Sequence, residues 1–274
     1  MHGSKERSNL LKRTSGRTSE AFIRIGEILE EAYDRYARPE FILDDPIQVP
    51  RHFSDRKDAE SIGFITATIS WGQRRSIINN AWKLVRAMDE SPHDFIINAS
   101  DAELDRFSNF VHRTFNAIDL RQFILSIRHL YRRYDGLEEA FLQDGKAGEM
   151  NGAISRFKQR FFEIDHPKRT TKHVSDPAKG SSAKRINMYL RWMVRSADRG
   201  VDLGLWKKIK PSELLLPLDV HTGRISRELG LLKRKQDDRK AVEEVTAALR
   251  LIDPLDPVRF DIALFGMGVS ASRK

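Results

Sequence analysis

Residues 217–230 read PLDVHTGRISRELG, and here the acidic Asp219 follows a proline-leucine pair and precedes a helix with mostly basic charge. Apolar residues at Ile225, Leu229 and Leu232 recur at helical spacing, which predicts that this helix packs one face against a core. An aspartate just before a helix accepts hydrogen bonds from the unpaired N–H groups of the first turn. Asp219 is therefore interpreted either as a helix cap or as a carboxylate held for chemistry, and a capped, rigid side chain can be both.

Helical spacing of apolar residues continues along most of the chain and predicts an all-α fold. Glycines, prolines and capping residues divide the pattern into helices at about 21–36, 58–71, 74–88, 118–134, 154–164, 182–195, 238–251 and 256–265, with another between Gly136 and Gly145. Residues 45–52, DPIQVPRH, are predicted to be an extended connection, because a proline disfavours helical backbone in the residue before it. We expect one helical domain over residues 21–269, a flexible basic tail over 1–20 and a short tail over 270–274.

The composition limits the classes of function. The 274 residues contain no cysteine, which excludes disulfides, thiolate zinc sites, cysteine nucleophiles and iron-sulfur clusters. A net charge of +9 and a pI near 9.7 favour a polyanionic partner, and nucleic acid is preferred over an anionic membrane or a ribosome. The chain lacks an apolar stretch near the roughly 18 residues of a membrane span and an apolar signal core at its start. A cytoplasmic protein is expected, with a transit peptide as the alternative for the basic start.

The second informative stretch, HPKRTTKHVSDPAKGSSAKRINMYLRWMVRS, runs from His166 to Ser196. Between residues 166 and 195 there are eight Lys or Arg against one acid, Asp176, so most of the net charge of the chain lies here. A Gly-Ser-Ser turn that opens a helix exposes backbone N–H groups to which a phosphate can bind. A solvated basic face with a serine-capped helix is the simpler interpretation.

Four segments together resemble the helix-hairpin-helix DNA glycosylases of the endonuclease III and oxoguanine glycosylase type. PLDVHTGRISRELGLL is similar to the family element that carries the catalytic aspartate, and KGSSAKRINMYLRWM is similar to the hairpin and its following helix. TISWGQRRSIINNAWKLV, residues 68–85, and RFDIALFGMGV, residues 259–269, are similar to two further family helices. The resemblance covers about 58–269 and implies a two-lobed all-α fold with the active cleft between the lobes.

The resemblance also implies site residues. The catalytic aspartate of the family corresponds to Asp219 and its Schiff-base lysine to Lys184, with Lys179 as the alternative nucleophile. Gln73 would enter the opened duplex. The remaining residues expected at the nucleic acid are Lys172, Lys179, Gly180, Ser181, Ser182, Arg185, His221 and Arg224. Trp71, Trp82 and Trp206 are candidates for a base pocket, although core packing is the simpler interpretation of Trp71, Trp82 and Trp192.

The chain departs from the family in three places. The family hairpin reads Leu-Pro-Gly-apolar-Gly, whereas this chain has DPAKGSS, so the monovalent cation that the family holds on hairpin carbonyls is not expected to be retained. Residues 201–217 are an insertion that could build a pocket wall or bury the site, and the cysteine-held cluster of the endonuclease III branch is absent. We expect no metal ligands, no cofactor and a monomer.

The implied function is a DNA repair glycosylase, with or without abasic-site lyase activity, that acts on duplex DNA containing a damaged or abasic nucleotide. Cleavage of an N-glycosidic bond builds positive charge on the sugar, which a carboxylate stabilises, and a neutral lysine amine can attack the same carbon. The base must leave the stack to reach such groups. The alternatives are a non-catalytic nucleic-acid-binding protein of the same fold and an RNA-modifying or ribosome-associated factor, because a fold does not fix its chemistry.

Overall fold

A computed structural model describes the backbone of residues 16–271 and the side chains of residues 20–270. Helices make up most of this part of the chain, which confirms the all-α prediction. In order, the elements are α1 (Gly16–Tyr36), α2 (Gln48–Arg51), α3 (Arg56–Thr68), α4 (Arg74–Ala87), α5 (Pro92–Asn98), α6 (Asp101–Leu104), β1 (Val111–His112), β2 (Phe115–Asn116), α7 (Ala117–Tyr134), α8 (Leu137–Phe141), α9 (Met150–Phe161), α10 (Lys184–Val194), α11 (Val220–Glu228), α12 (Arg239–Ile252) and α13 (Phe260–Ala271). Short 3-10 helices lie at Pro39–Ile42, Asp105–Phe107, Lys168–His173, Pro177–Lys179, Pro211–Glu213 and Pro257–Arg259.

Helix α3 is at the centre of the molecule and packs against α2, α5 and α10. Its residues from Ala59 to Thr68 are buried on all faces, as expected for a central helix. Phe64 is the middle of an aromatic cluster: its ring centroid lies 5.7 Å from that of Phe123 and 5.4 Å from that of Tyr189. Because Tyr189 belongs to α10, this cluster anchors the helix that begins at Lys184.

A buried acid joins the insertion to this centre. Glu60 of α3 accepts hydrogen bonds from the Tyr131 hydroxyl at 2.6 Å and from Trp206 Nε1 at 2.7 Å. Burial raises the pKa of Glu60. Trp206 is the aromatic residue of the 201–217 insertion and is fully buried against Tyr189 and Phe141. The insertion is therefore anchored in the core through Trp206.

Two predicted boundaries differ from the structure. Helix α1 begins at Gly16, inside the predicted tail, because no proline interrupts the chain between Gly16 and Tyr36; residues 1–15 of that tail lie outside the described residues. The prediction of an extended connection over 45–52 is wrong, since Gln48–Arg51 form the helical turn α2. Pro50 is tolerated there because the N–H groups of a first helical turn lack intrahelical partners in any case.

The segment between α4 and α7, for which the sequence predicted no element, contains α5, α6 and the hairpin of β1 and β2. The hairpin turn places Arg113 in the left-handed region, with φ of 56°. His112 Nε2 lies 3.1 Å from the backbone oxygen of Trp71, and Arg169 donates to the backbone oxygen of Thr114 at 3.2 Å. These bonds hold the hairpin beside the turn between α3 and α4.

Helix α13 packs closely against α1 and α11, and two of its glycines make this approach possible. A Cβ atom on Gly266 would lie 2.4 Å from ring carbons of Tyr36, and one on Gly268 would lie 2.9 Å from the Cβ atom of His221. Neither distance is compatible with a side chain at these positions. The close packing brings the N-terminal part of α13 beside the turn that contains Asp219.

Candidate active site

A cavity of about 270 Å³ lies where α10, α11 and α13 approach the turn between α3 and α4. Its lining residues come from five separate parts of the chain, so the cavity exists only in the folded protein. They are Asp45, Pro46, Ser70, Trp71, Gly72, Arg74, Ile77, Lys184, Met188, Arg191, Trp192, Pro217, Asp219, His221, Asp261 and Phe265. Formally the lining carries three carboxylates and three Lys or Arg cations, with one histidine.

Lys184 is the first residue of α10 and reaches the cavity from a turn that is tightly held. Ala183, just before it, is left-handed with φ of 46°, and its N–H donates to the Ser181 hydroxyl at 3.1 Å. Asn187 donates from its side chain to the backbone oxygen of Ser182 at 3.0 Å. The Lys184 amine lies 3.6 Å from the Met188 sulfur, one turn along the helix.

Asp219 is the N-cap of α11, and its two carboxylate oxygens have different partners. Oδ1 accepts from the backbone N–H groups of His221 at 2.9 Å and Thr222 at 3.0 Å. The Thr222 hydroxyl in turn accepts from the Asp219 N–H at 2.8 Å, which completes a capping box. Oδ2 is left for the cavity and lies 3.8 Å from the Lys184 amine. The two residues predicted as the catalytic pair thus face one cavity, and their catalytic roles remain a prediction.

Asp261 is a second carboxylate in the cavity and was not identified from the sequence. It belongs to the first turn of α13, is 5% exposed, and pairs through Oδ2 with Nη1 of Arg191. Burial is the main cause that raises the pKa of Asp261 to about 6, and the negative charge of Asp219 acts in the same direction. Arg191 opposes this shift without cancelling it.

Behind Asp261 is a buried network of ion pairs. Arg191 Nε lies 3.1 Å from Oδ1 of Asp202, and Arg195 joins Asp202 to Asp256, with 2.9 Å between Arg195 Nη2 and Asp256 Oδ2. The network has two guanidinium groups and, with Asp261, three carboxylates, so one carboxylate is in excess. Buried charges remain only where they are paired, and each charge of this network lies beside at least one opposite charge.

Aromatic rings form much of the cavity wall. Trp71, Trp192 and Phe265 line it, and the ring of His221 packs edge-on against Phe265 with centroids 5.8 Å apart. Of the three predicted pocket tryptophans, Trp71 therefore lies in the cavity. Trp206 is buried in the core, and Trp82 packs edge-on against the ring of His52, so these two predictions are wrong. His221 orders the Asp219 turn through its backbone N–H, while its ring forms part of the wall.

The rim of the cavity is polar and basic. Gln73 is the exposed N-cap residue of α4, between the lining residues Gly72 and Arg74, and its side chain makes no hydrogen bond to any described residue. A wider surface depression of about 760 Å³, called here the outer hollow, shares Arg74 and His221 with the cavity. The outer hollow also contains Arg75, which is exposed.

The predicted hairpin residues lie outside the cavity. Lys172, Lys179 and Gly180 are exposed, whereas Ser181 and Ser182 are half-buried. None of these five residues lines the cavity. The hairpin is held instead against α12, because the Arg239 N–H donates to the backbone oxygen of Gly180 at 3.1 Å. Lys179, the alternative nucleophile, is thus placed away from Asp219.

Two arginines predicted to contact nucleic acid are engaged within the protein. Arg185 donates to the backbone oxygens of Thr68 and His173, and its guanidinium lies 4.7 Å from the ring centroid of Trp71. Arg224 donates to the backbone oxygen of Gly268 at 2.9 Å and pairs with Glu228 at 3.3 Å. Nη1 and Nη2 of Arg185 thus have partners within the protein, and a contact of Arg185 with nucleic acid stays a prediction. Arg224 keeps 41% of its side chain exposed.

Among the residues with described side chains, no three His, Asp or Glu side chains are grouped so that they could hold a metal ion. No helix between residues 16 and 271 is both long and apolar enough to cross a membrane.

Comparison with known protein families matches residues 45–270 to DUF2400, a family described as a protein of unknown function. The chain belongs to the DUF2400 family. The matched range includes every residue that lines the cavity, from Asp45 to Phe265. No curated protein and no solved structure matches the chain.

In this DUF2400 chain, the sequence contains signals for two lining residues, Asp261 and Arg191, that the sequence analysis did not identify. Asp261 is the single charged residue in FDIALFGMGVSA, residues 260–271, an otherwise apolar helix. Arg191 lies in the similarly apolar INMYLRWMV, residues 186–194. A lone charge in an apolar helix must be paired or must line a cavity, and these two residues satisfy both conditions.

Proposed function

We propose that this protein is a DNA repair glycosylase with abasic-site lyase activity, in which Lys184 and Asp219 act on C1′ of a flipped nucleotide. The observation that carries the proposal is the 3.8 Å separation of the Lys184 amine and the Asp219 carboxylate within one cavity. The sequence resemblance predicts the same two residues as the catalytic pair. Neither the spacing of the residues in the chain nor the net charge requires them to meet.

The reaction needs a nucleophile and a negative charge on the same side of the sugar. The neutral amine of Lys184 attacks C1′ while the bond from C1′ to the base breaks, and the electron pair of that bond leaves with the base. Positive charge develops on the sugar ring in the transition state, and Oδ2 of Asp219 is the free oxygen that can stabilise it. Because Oδ1 is fixed by the helix cap, the carboxylate needs little reorganisation during the reaction.

The surroundings of the pair suit a base taken out of a duplex. Trp71, Phe265 and His221 provide aromatic rings in the wall, and flipped bases are held in pockets lined by aromatic and apolar groups. Gln73 is exposed at the rim and is proposed to fill the space that the base leaves. Arg74 and Arg75 follow it along the outer hollow, where a phosphate backbone would be attracted. A two-lobed helix-hairpin-helix arrangement with the cavity between the lobes is part of the same proposal.

Borohydride trapping on a duplex with one abasic site tests the proposal. A Schiff base is reduced to a stable covalent adduct, so the wild-type protein is expected to form one and the Lys184→Gln variant is not. Lys179→Gln is the matched control, because Lys179 is exposed and lies outside the cavity. Salt-sensitive binding of DNA without an adduct would indicate a nucleic-acid-binding protein instead of an enzyme. An adduct that survives Lys184→Gln and disappears in Lys179→Gln would move the nucleophile.

A further inference from the structure

We infer that Asp261 is the proton donor of this site, and that it protonates the group that leaves C1′ when Lys184 forms the Schiff base. The inference rests on the proposed function and adds a residue and a step to it. On an abasic substrate the leaving group is the hydroxyl of the carbinolamine, and on an intact nucleotide it is the base.

The position of Asp261 gives the inference its geometry. Asp261 lines the same cavity as Lys184 and Asp219, although it comes from a different helix, α13. Its Oδ2 atom is taken by Arg191, which holds the side chain in place. Its Oδ1 atom accepts no hydrogen bond from any described residue, yet it is not among the fully enclosed polar atoms. One oxygen is therefore fixed by Arg191, and the other has no described partner, on a side chain that lines the cavity.

Asp219 and Asp261, two of the three carboxylates in the cavity lining, have contrasting environments. Asp219 accepts hydrogen bonds from two backbone N–H groups at the start of a helix and lies beside an amine. Asp261 is nearly enclosed, and its pKa is raised to about 6 by burial. An enclosed carboxylic acid beside the site of reaction is in a position that suits a proton donor.

The charged groups around Asp261 come from every element that borders the cavity. Helix α10 contributes Lys184 and Arg191, and the α11 turn contributes Asp219 and His221. The remaining charges of the lining are Asp45, before α2, and Arg74, at the start of α4. Arg191 is the contact partner of Asp261 and favours its charged form, while Asp219 favours its protonated form.

The proposed step balances on an abasic aldehyde. The Lys184 amine adds to C1′, the N–C bond forms, and the proton displaced from nitrogen reaches the new hydroxyl through solvent. The carbinolamine then loses this hydroxyl: Asp261 gives its proton to the oxygen, the C–O bond breaks, and water leaves with the bonding pair. The products are the protonated Schiff base on Lys184, one water and the Asp261 carboxylate, which solvent protonates again.

The pH dependence follows from the protonated form being the active one. At about pH 6 roughly half of Asp261 carries its proton, and at about pH 8 roughly 1% does. General acid catalysis contributes a factor on the order of 100 or more. For a factor of about 100, the ratio of wild-type to Asp261→Asn rates is therefore expected to be about 50-fold near pH 6 and about 2-fold near pH 8. Taking the ratio at each pH cancels the separate requirement for a neutral lysine amine.

The experiment measures single-turnover formation of the cyanoborohydride-trapped adduct on an abasic-site duplex, from about pH 5.5 to 8.5. Asp261→Asn keeps an oxygen that can accept from Arg191, and Asp261→Glu keeps an acid and is expected to restore most of the activity near pH 6. Asp202→Asn is the matched control. Asp202 is also fully buried and paired with Arg191, but it does not line the cavity. Thermal unfolding of each variant verifies that it is folded.

The outcomes separate the inference from the function on which it rests. A pH-dependent ratio in Asp261→Asn alone supports the inference. A ratio of about 1 at all pH values, or an equal loss at all pH values, overturns it while the function stands. The same pH-dependent loss in Asp202→Asn also overturns it, because the effect would then belong to the Arg191 network. If the wild-type protein forms no adduct at any pH, the proposed function fails first.

Discussion

Asp219 caps helix α11 and is proposed to supply a negative charge to the reaction, and two substitutions separate these roles. Asp219→Asn keeps the oxygen that accepts from His221 and Thr222 but removes the charge, whereas Asp219→Ala removes both. Asparagine caps helices about as well as aspartate. The losses in Asp219→Asn are the charge at the helix N-terminus, about 0.3–1 kcal/mol, and the partly exposed pair with Lys184, at most about 1 kcal/mol.

The expected changes in the free energy of unfolding depend on one offsetting effect and, in Asp219→Ala, on one further loss. Removal of the Asp219 charge relieves its repulsion of Asp261, which offsets part of the loss. We therefore expect Asp219→Asn to lower the free energy of unfolding by about 1 kcal/mol or less. Asp219→Ala also loses the cap, at a further cost of about 1 kcal/mol. For a protein of this size each kcal/mol lowers Tm by roughly 2–4 °C.

Activity is expected to follow the charge rather than the cap. Both variants should form the abasic-site adduct about 100- to 1000-fold more slowly than the wild type. The assays are denaturant unfolding and single-turnover trapping on the same preparations. Full activity in a folded Asp219→Asn protein would refute the electrostatic role. An Asp219→Ala protein as stable as the wild type would refute the cap.

Three further predictions concern packing and the nucleic-acid surface. Gly266→Ala places a methyl group against the Tyr36 ring and should lower the free energy of unfolding by about 1–3 kcal/mol; an unchanged midpoint in urea would contradict the close approach of α13 to α1. Ala183→Gly should leave the unfolding free energy unchanged or raise it by up to about 1 kcal/mol, because glycine adopts a left-handed φ without strain; a lower Tm would contradict the left-handed start of α10. Arg185→Ala should destabilise the fold by about 1–3 kcal/mol by leaving backbone oxygens unpaired, with the salt dependence of DNA binding unchanged. Lys179→Ala should leave the stability of the fold unchanged and should flatten the salt dependence of DNA binding, because Lys179 is exposed. A flatter salt dependence in Arg185→Ala would indicate instead that Arg185 contacts DNA.

Long amphipathic helices were predictable because burial of one face imposes a period on the sequence. Helix α7 was predicted over 118–134 and is Ala117–Tyr134, and α10 was predicted over 182–195 and is Lys184–Val194. The predicted and observed starts of α10 differ because Ala183 has a left-handed backbone conformation. The sequence does not reveal this conformation, because it is usually indicated by a glycine. The four-residue turn α2 depends on burial of Ile47 and Val49, a tertiary effect that overrides the prolines.

Short elements were missed because local sequence only partly specifies them. Helix α6 begins at a capping box of Ser100 and Glu103, a signal that was available but is weak for a four-residue helix. The β1–β2 hairpin has Arg113 where a two-residue turn usually has asparagine or glycine. Its turn is stabilised by distant groups, including Arg169, which no local pattern reveals.

The candidate site was predictable in part. The cap geometry of Asp219 follows from its position before a helix, but its closeness to Lys184 came from the family resemblance, since the intervening insertion hides any simple spacing. Neither the local sequence nor the family resemblance predicts that Asp261 lies in the cavity. It reaches the cavity because Gly266 and Gly268 let α13 approach α1 and α11, so its position depends on the packing of three helices.

Identification of the attacking amine in the unmodified protein tests directly whether Lys184 is the nucleophile. The wild-type protein is trapped with borohydride on an abasic-site duplex, digested, and analysed by peptide mass spectrometry. The sugar remnant is expected on the peptide that contains Lys184, and on its Nζ atom. A remnant on Lys179 or on another amine, or no adduct under conditions in which the duplex is bound, would contradict it.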